Sequence, residues 1–206
     1  MPSHQTTSTQ TKTVFTNSLL EALTRTHIAV PLTIFYGLSV FLLLYGSLNT
    51  ALPGWQIAGL FVGGALLFTL VEYLVHKSVF HMEPTTEWRR KVRYNFHGIH
   101  HDYPKDKTRL AMPPVVSVVL ATLLFLGTRA LIGDYVFGFL PGFISGYASY
   151  LCVHYIVHAY RPPNNIFKTL WVHHGIHHYK DDTVAFGVSS PLWDWVFGTM
   201  PKRSNR

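Results

Sequence analysis

Four long apolar blocks constrain this chain more than any other feature of its sequence. They cover residues 28–48, 55–75, 113–132 and 135–157. The first and fourth carry no charge, the second carries only Glu72, and the third only Arg129 near its far end. At about 1.5 Å per residue, 20 helical residues reach about 30 Å, the thickness of a bilayer's hydrocarbon layer. Water is absent there, so each block must be helical to satisfy its own backbone. Buried helices of a soluble bundle keep a polar face, and these blocks are apolar all round. Charged residues make up 13% of the chain against 48% apolar, which excludes a disordered chain. The single cysteine, Cys152, excludes a disulfide framework and a thiolate metal cluster.

The distribution of Lys and Arg predicts orientation. The turns at residues 49–54 and 133–134 contain none. Residues 76–112 contain eight, the tail after His158 contains six, and the amino-terminal arm adds Lys12 and Arg25. With four spans, all three basic segments fall on one side, and that side is the cytoplasm. The formal charge of +7 therefore reads as membrane orientation and lipid-headgroup contact. Basic and aromatic residues do not interleave as a nucleic-acid platform requires. Residues 1–26, rich in Ser, Thr and Gln, read as a flexible arm, and residues 27–206 as one membrane-embedded domain. No signal peptide is expected, because the first apolar run starts late and is long enough to span.

Eleven of the thirteen histidines follow the second block or lie in and after the end of the fourth. His76 and His81 precede His97, His100 and His101. His154 and His158 precede His174, His177 and His178. The pentad HGIHH occurs twice, and the intervals from His76 to His97 and from His154 to His174 are 21 and 20 residues. A duplicated plan of this kind permits two ions related by pseudo-symmetry between the halves. On a helix, positions i, i+3 and i+4 share a face, so each trio can converge, as can His154 with His158. His76 and His81 lie about 140° apart on an ideal helix, so they need a distorted turn or serve different ions. Ten neutral imidazoles exceed one tetrahedral zinc, and two ions with five nitrogens each is the simplest arithmetic. His4 and His27 read as ordinary polar residues. His173 also lies four before His177, and His174 is preferred as the ligand because it completes the second pentad.

Glu72, one turn before His76, is an ionisable residue inside an apolar block and needs a partner. It is expected to accept the free ring N–H of a ligand histidine, fixing the tautomer. Asp102 is expected to assist in the same way beside the first trio.

Over about residues 68–200 the chain resembles the fatty acid hydroxylase and sterol desaturase superfamily of membrane oxygenases, and most of all the catalytic domain of fatty acid 2-hydroxylases. The resemblance rests on Glu72-Tyr73 with His76 and His81, the first pentad followed by Pro104, His177-His178, and Arg109-Leu110 with Pro113-Pro114. It continues through Gly146-Tyr147, Tyr150, His154 and His158, Phe186-Gly187-Val188-Ser189-Ser190, Trp193-Asp194 and Phe197-Gly198-Thr199. One departure is that Tyr150 is followed by Leu151, where those enzymes usually place an aspartate.

The resemblance implies an all-α integral membrane fold, with four transmembrane helices and a cytoplasmic helical cap holding two metal ions on the ten histidines. Iron is expected for catalysis, and zinc can occupy the same nitrogens in a purified sample. The implied reaction consumes dioxygen and two electrons and inserts a hydroxyl near the carboxyl end of an acyl chain. The lipid is of the sphingolipid or ceramide type. Tyr150 would orient its headgroup, with Trp193 and Asp194 closing the site. Electrons are expected from a separate carrier, such as cytochrome b5 or a ferredoxin with its reductase. The membrane is the endoplasmic reticulum in a eukaryote or the inner membrane in a bacterium. The alternative within the superfamily is a sterol or carotenoid hydroxylase or desaturase. A haem cytochrome fits poorly, because the histidines come in trios mostly outside the apolar blocks. A metal transporter fits poorly as well, because it would need ligands along the spans.

Overall fold

Long apolar runs that must satisfy their own backbone have no alternative to the helix, and helices are what they form. The computed structural model describes residues 13, 16–23 and 25–202, and every regular element among them is helical. In order these are α1 (Ser18–Leu23), α2 (Ala29–Asn49), α3 (Gly54–Val75), α4 (Glu87–Arg93) and α5 (Ile99–Asp102). Then follow α6 (Pro114–Ile132), α7 (Val136–Ala159), α8 (Lys168–Tyr179) and α9 (Leu192–Val196). The expected flexible arm falls mostly outside the described residues. Its described part contains α1, where Arg25 pairs with Glu21 at 3.2 Å.

Three stretches are long and apolar enough to cross a membrane: Ala29–Asn49, Gly54–Phe80 and Val115–Ala159. The third contains both of the last two expected spans, because only a single tight turn, Gly133–Tyr135, separates α6 from α7. Gly133 takes a positive φ of 59° there, where a side chain would be strained. The chain reverses at that turn: Phe125 of α6 meets Phe137 of α7 at 6.0 Å, and Arg129 pairs with Asp134 at 2.6 Å.

The chain divides into two compact units. One comprises, among the described residues, 16–23, 25–68 and 111–152. Its core is Phe35 and Leu42 of α2, Ala121 of α6, and Val136, Phe137, Leu140, Ile144 and Ala148 of α7. Its outer surface is apolar as well, with Leu131 85% and Leu48 81% exposed, which is tolerable only in an apolar solvent. With no hydrophobic drive between helices in lipid, close backbone approach has to hold them together. Gly138, Gly142 and Gly146 of α7 supply it on one face. A Cβ on Gly142 would lie 1.9 Å from the Phe61 carbonyl oxygen, and one on Gly64 of α3 would lie 2.0 Å from that of Phe139. Pro141 interrupts α7, and its carbonyl accepts the Ser39 hydroxyl at 3.0 Å while Ser145 donates to Ser39 at 2.8 Å.

The other unit comprises, among the described residues, 13, 69–110 and 153–202. It contains α4, α5, α8 and α9, together with the ten candidate ligand histidines and His173.

Candidate metal centre

His76 and His81 occupy the two ends of a widened turn, His76–Phe80, in which the His81 N–H reaches back five residues to the His76 carbonyl at 3.1 Å. One extra residue in the turn cancels most of the angular offset that an α-helix would impose. The distorted-turn alternative is therefore the one realised, and both residues join one group. A second widened turn, Tyr94–Gly98, leads into α5 and carries His97. α7 supplies His154 and His158, and α8 supplies His174, His177 and His178.

The ten side chains form two groups of five. One is His76, His81, His97, His101 and His177; the other is His100, His154, His158, His174 and His178. Within each group, one ring nitrogen per residue lies within 4.8 Å of every other. Spacing allows each trio to converge, but the trios do not stay together. His100 leaves the first trio for the second group, and His177 leaves the second trio for the first. Both are the middle histidine of their pentad, so the exchange is symmetric. The geometry of α8 explains it there: positions i and i+4 are about 40° apart around a helix, whereas i+3 and i+4 are about 100° apart; His97, in the widened turn before α5, meets His101 in the same way. His101 and His178, one from each group, stack face to face at 4.2 Å, so the groups are adjacent.

The nitrogens face one another. Nε2 of His97 lies 2.9 Å from Nε2 of both His76 and His101, and Nε2 of His177 lies 3.0 Å from that of His81. In the second group the Nε2 pairs are His154–His100 at 2.9 Å and His158–His174 at 2.7 Å. Five lone-pair atoms this close repel one another unless a cation lies among them. Ligands at about 2.1 Å from an ion and at right angles to each other stand about 3.0 Å apart, and tetrahedral ligands about 3.4 Å. The observed separations match the right-angle case, and imidazole is a good donor to first-row transition metals. The residues fit a metal pair.

Backbone carbonyls fix the tautomers in the first group. Nδ1 of His76 donates to the Phe186 carbonyl, and Nδ1 of His177 donates to that of Val184 at 2.8 Å. Each Nε2 lone pair is thereby left facing the group. Burial, then neighbouring His177, holds His81 down at about 3, and the same causes hold His101 at about 2. Burial pushes His97, His100, His174 and His178 well below the ordinary imidazole range, with adjacent histidines adding to it. At neutral pH these rings are uncharged, the form that binds metal.

The remaining expected residues sit differently. Glu72 does not reach a histidine: it accepts the backbone N–H of Val188 at 2.8 Å and of Ser189 at 2.9 Å, and the Ser189 hydroxyl. Asp102 pairs with the Tyr94 phenol rather than with an imidazole. Asp194 is fully buried and works inward. It accepts Phe186 N–H at 2.9 Å, Gly187 N–H at 2.8 Å, the Thr199 hydroxyl at 2.7 Å and His173 Nε2 at 2.9 Å. Trp193 donates to Thr69 at 2.9 Å and lies over Phe197. Tyr150 belongs to the other compact unit, in an aromatic group with Phe68 and Tyr147. Sequence reasoning missed the role of residues 184–190, whose carbonyls orient two histidines. The available signal was the run Phe186–Ser190, conspicuous without any side chain able to bind a metal. His173, set aside as a ligand, pairs with Asp194.

A family model described as fatty acid hydroxylase matches residues 61–199. A dihydroceramide fatty acyl 2-hydroxylase of Arabidopsis thaliana is 35% identical over 151 residues, covering 71% of this chain and 62% of that protein. The fatty acid 2-hydroxylase of Homo sapiens is 31% identical over 208 aligned positions, covering 91% and 56%. A solved structure of full-length scs7p, in which only the hydroxylase domain is visible, superposes with a TM-score of 0.81 at 32% identity, covering 91% of this chain and 71% of that one. The chain thus spans roughly half to two thirds of the length of these two named relatives. The matched residues contain all ten grouped histidines, Glu72, Asp194 and the segment between α8 and α9, and by that match the chain belongs to the fatty acid hydroxylase family.

Proposed function

We propose that the chain is a multi-pass membrane oxygenase in which the two groups of five histidines each hold an iron ion and the substrate is the acyl chain of a ceramide-type lipid, hydroxylated at carbon 2. The observation that carries this reading is the facing of five neutral imidazole nitrogens in each group at separations suited to right-angle coordination. The names of the relatives, dihydroceramide fatty acyl 2-hydroxylase and fatty acid 2-hydroxylase, support the substrate.

Metal bound at these nitrogens supplies dioxygen binding and changes of oxidation state, which zinc does not undergo. The reaction takes one C–H bond, dioxygen, two electrons and two protons, and gives an alcohol and water. Electrons come from a separate carrier of the cytochrome b5 or ferredoxin type with its reductase. His76 and His177 keep their Nε2 lone pairs because their Nδ1 protons go to backbone carbonyls, and burial keeps the rings of His81, His97, His100, His101, His174 and His178 uncharged. The 45-residue stretch Val115–Ala159 is about 68 Å long as a helix, twice a hydrocarbon layer, which supports two crossings and four spans in all. All three basic segments then share the cytoplasmic side, where the remaining helices form a cap. Residues 27–206 act as one membrane-embedded domain, in the endoplasmic reticulum of a eukaryote or the inner membrane of a bacterium. Tyr150 contributes to headgroup binding.

Comparative lipid mass spectrometry of the host with and without the gene tests the reading. Loss of acyl species one oxygen heavier, hydroxylated at carbon 2, is the expected result. Unchanged acyl chains with a missing sterol, carotenoid or double bond would assign another substrate to the same scaffold.

A further inference from the structure

The segment from Val184 to Ser190 contains no metal-binding side chain, yet it touches the first histidine group repeatedly. Its carbonyls at 184 and 186 receive the Nδ1 protons of His177 and His76. The Phe186 ring packs against His76, His81 and His177, all of that same group. Between the two carbonyls sits Ala185, the non-glycine residue with positive φ among those described. Such a conformation costs of order 1 kcal/mol and persists only where its surroundings impose it.

Two carboxylates impose it. Asp194 receives four donors, two of them the N–H groups of Phe186 and Gly187. Glu72 receives the next two N–H groups, of Val188 and Ser189. Four consecutive backbone N–H groups thus end on two acids that contact no metal-facing nitrogen themselves. At Gly187 the fit is close: a Cβ would lie 2.2 Å from the Ser190 carbonyl oxygen and 2.9 Å from Asp194 Oδ2. His173 secures the far side of Asp194 at 2.9 Å.

We propose that Asp194, held by His173, and Glu72 are positioning residues: they clamp residues 184–190 so that two carbonyls set the rings of His76 and His177, and thereby retain metal at the group of His76, His81, His97, His101 and His177. This rests on the metal-binding reading above. Asp194→Asn is the sharpest probe, because its amide nitrogen places donors against the Gly187 N–H or the His173 ring. Metal per chain is counted by mass spectrometry on purified protein, and release to a chelator is timed. Helicity and detergent gel filtration report the fold.

The expected result is two equivalents in the unaltered chain and about one in Asp194→Asn. If the lost equivalent is still detectable, its release is faster, by about 10–100-fold when the loss of affinity usual for such an outer partner is expressed in the off-rate. His173→Ala should behave like Asp194→Asn, while His173→Gln, which keeps an N–H donor, should restore retention. Two equivalents released at the unaltered rate would overturn the clamp, and so would parallel loss of both. Should Asp194→Asn fail to fold, the His173 pair decides: equal retention in Ala and Gln overturns the proposal. An unaltered chain that takes up no metal would instead remove the underlying metal reading.

Discussion

At the residue scale, burial and nitrogen spacing make each histidine's contribution testable. His177 is fully buried, and its Nε2 lies 3.0 Å from that of His81. His177→Ala should lower turnover at least about 100-fold, more than loss of an outer partner does, while the protein stays in the membrane. Retained turnover in the membrane fraction would remove this residue from the site. The depressed imidazoles also set an acid limit. An unfolded histidine takes a proton below about pH 6.5, whereas folded His81 and His101 stay neutral down to about 3 and about 2. Stability of the chelator-stripped protein should therefore be fully present above pH 6.5. It should fall as pH drops below that, by up to about 1.4 kcal/mol per pH unit for each such group. A detergent melting temperature equal at pH 5 and pH 7.5 would contradict this. The ten histidines were legible in the sequence because their spacing repeats. Their division between groups was not, because spacing names a helix face without naming the neighbour opposite it.

At the scale of elements, α3 and α7 meet through glycine, and adjacent positions should respond with opposite sign. Gly63 has open space where a Cβ would stand, and Gly64 has the Phe139 carbonyl oxygen at 2.0 Å. Gly63→Ala should be neutral or stabilising by up to about 1 kcal/mol, since alanine favours the helix. Gly64→Ala should destabilise by about 1–3 kcal/mol through overpacking. Melting in detergent distinguishes the two, and equal shifts would argue against backbone contact at Gly64. The helices themselves were legible from apolar length. The widened turn at His76–Phe80 was foreseen only as a need, from the five-residue spacing of His76 and His81, and the one at Tyr94–Gly98 was not foreseen.

For the whole molecule, the four-span reading predicts opposite accessibility for the basic segments and the short turns. In a Cys152→Ser background, Glu87→Cys should react with an impermeant thiol reagent from the cytoplasmic face, and Leu52→Cys from the other. Labelling of both from one side would contradict the topology. The sequence by itself determined that the chain is helical and apolar and that ten histidines recur on a duplicated plan, because these follow from backbone hydrogen bonding and from local periodicity. Only the tertiary structure decided which five histidines form each group, that Glu72 and Asp194 hold backbone rather than imidazole, and that residues 184–190 orient two of the rings. The contacts of Glu72, Asp194 and residues 184–190 join residues up to 117 positions apart through main-chain N–H and carbonyl groups. Every residue type carries a main-chain carbonyl and all but proline an N–H, so no pattern of side chains records them.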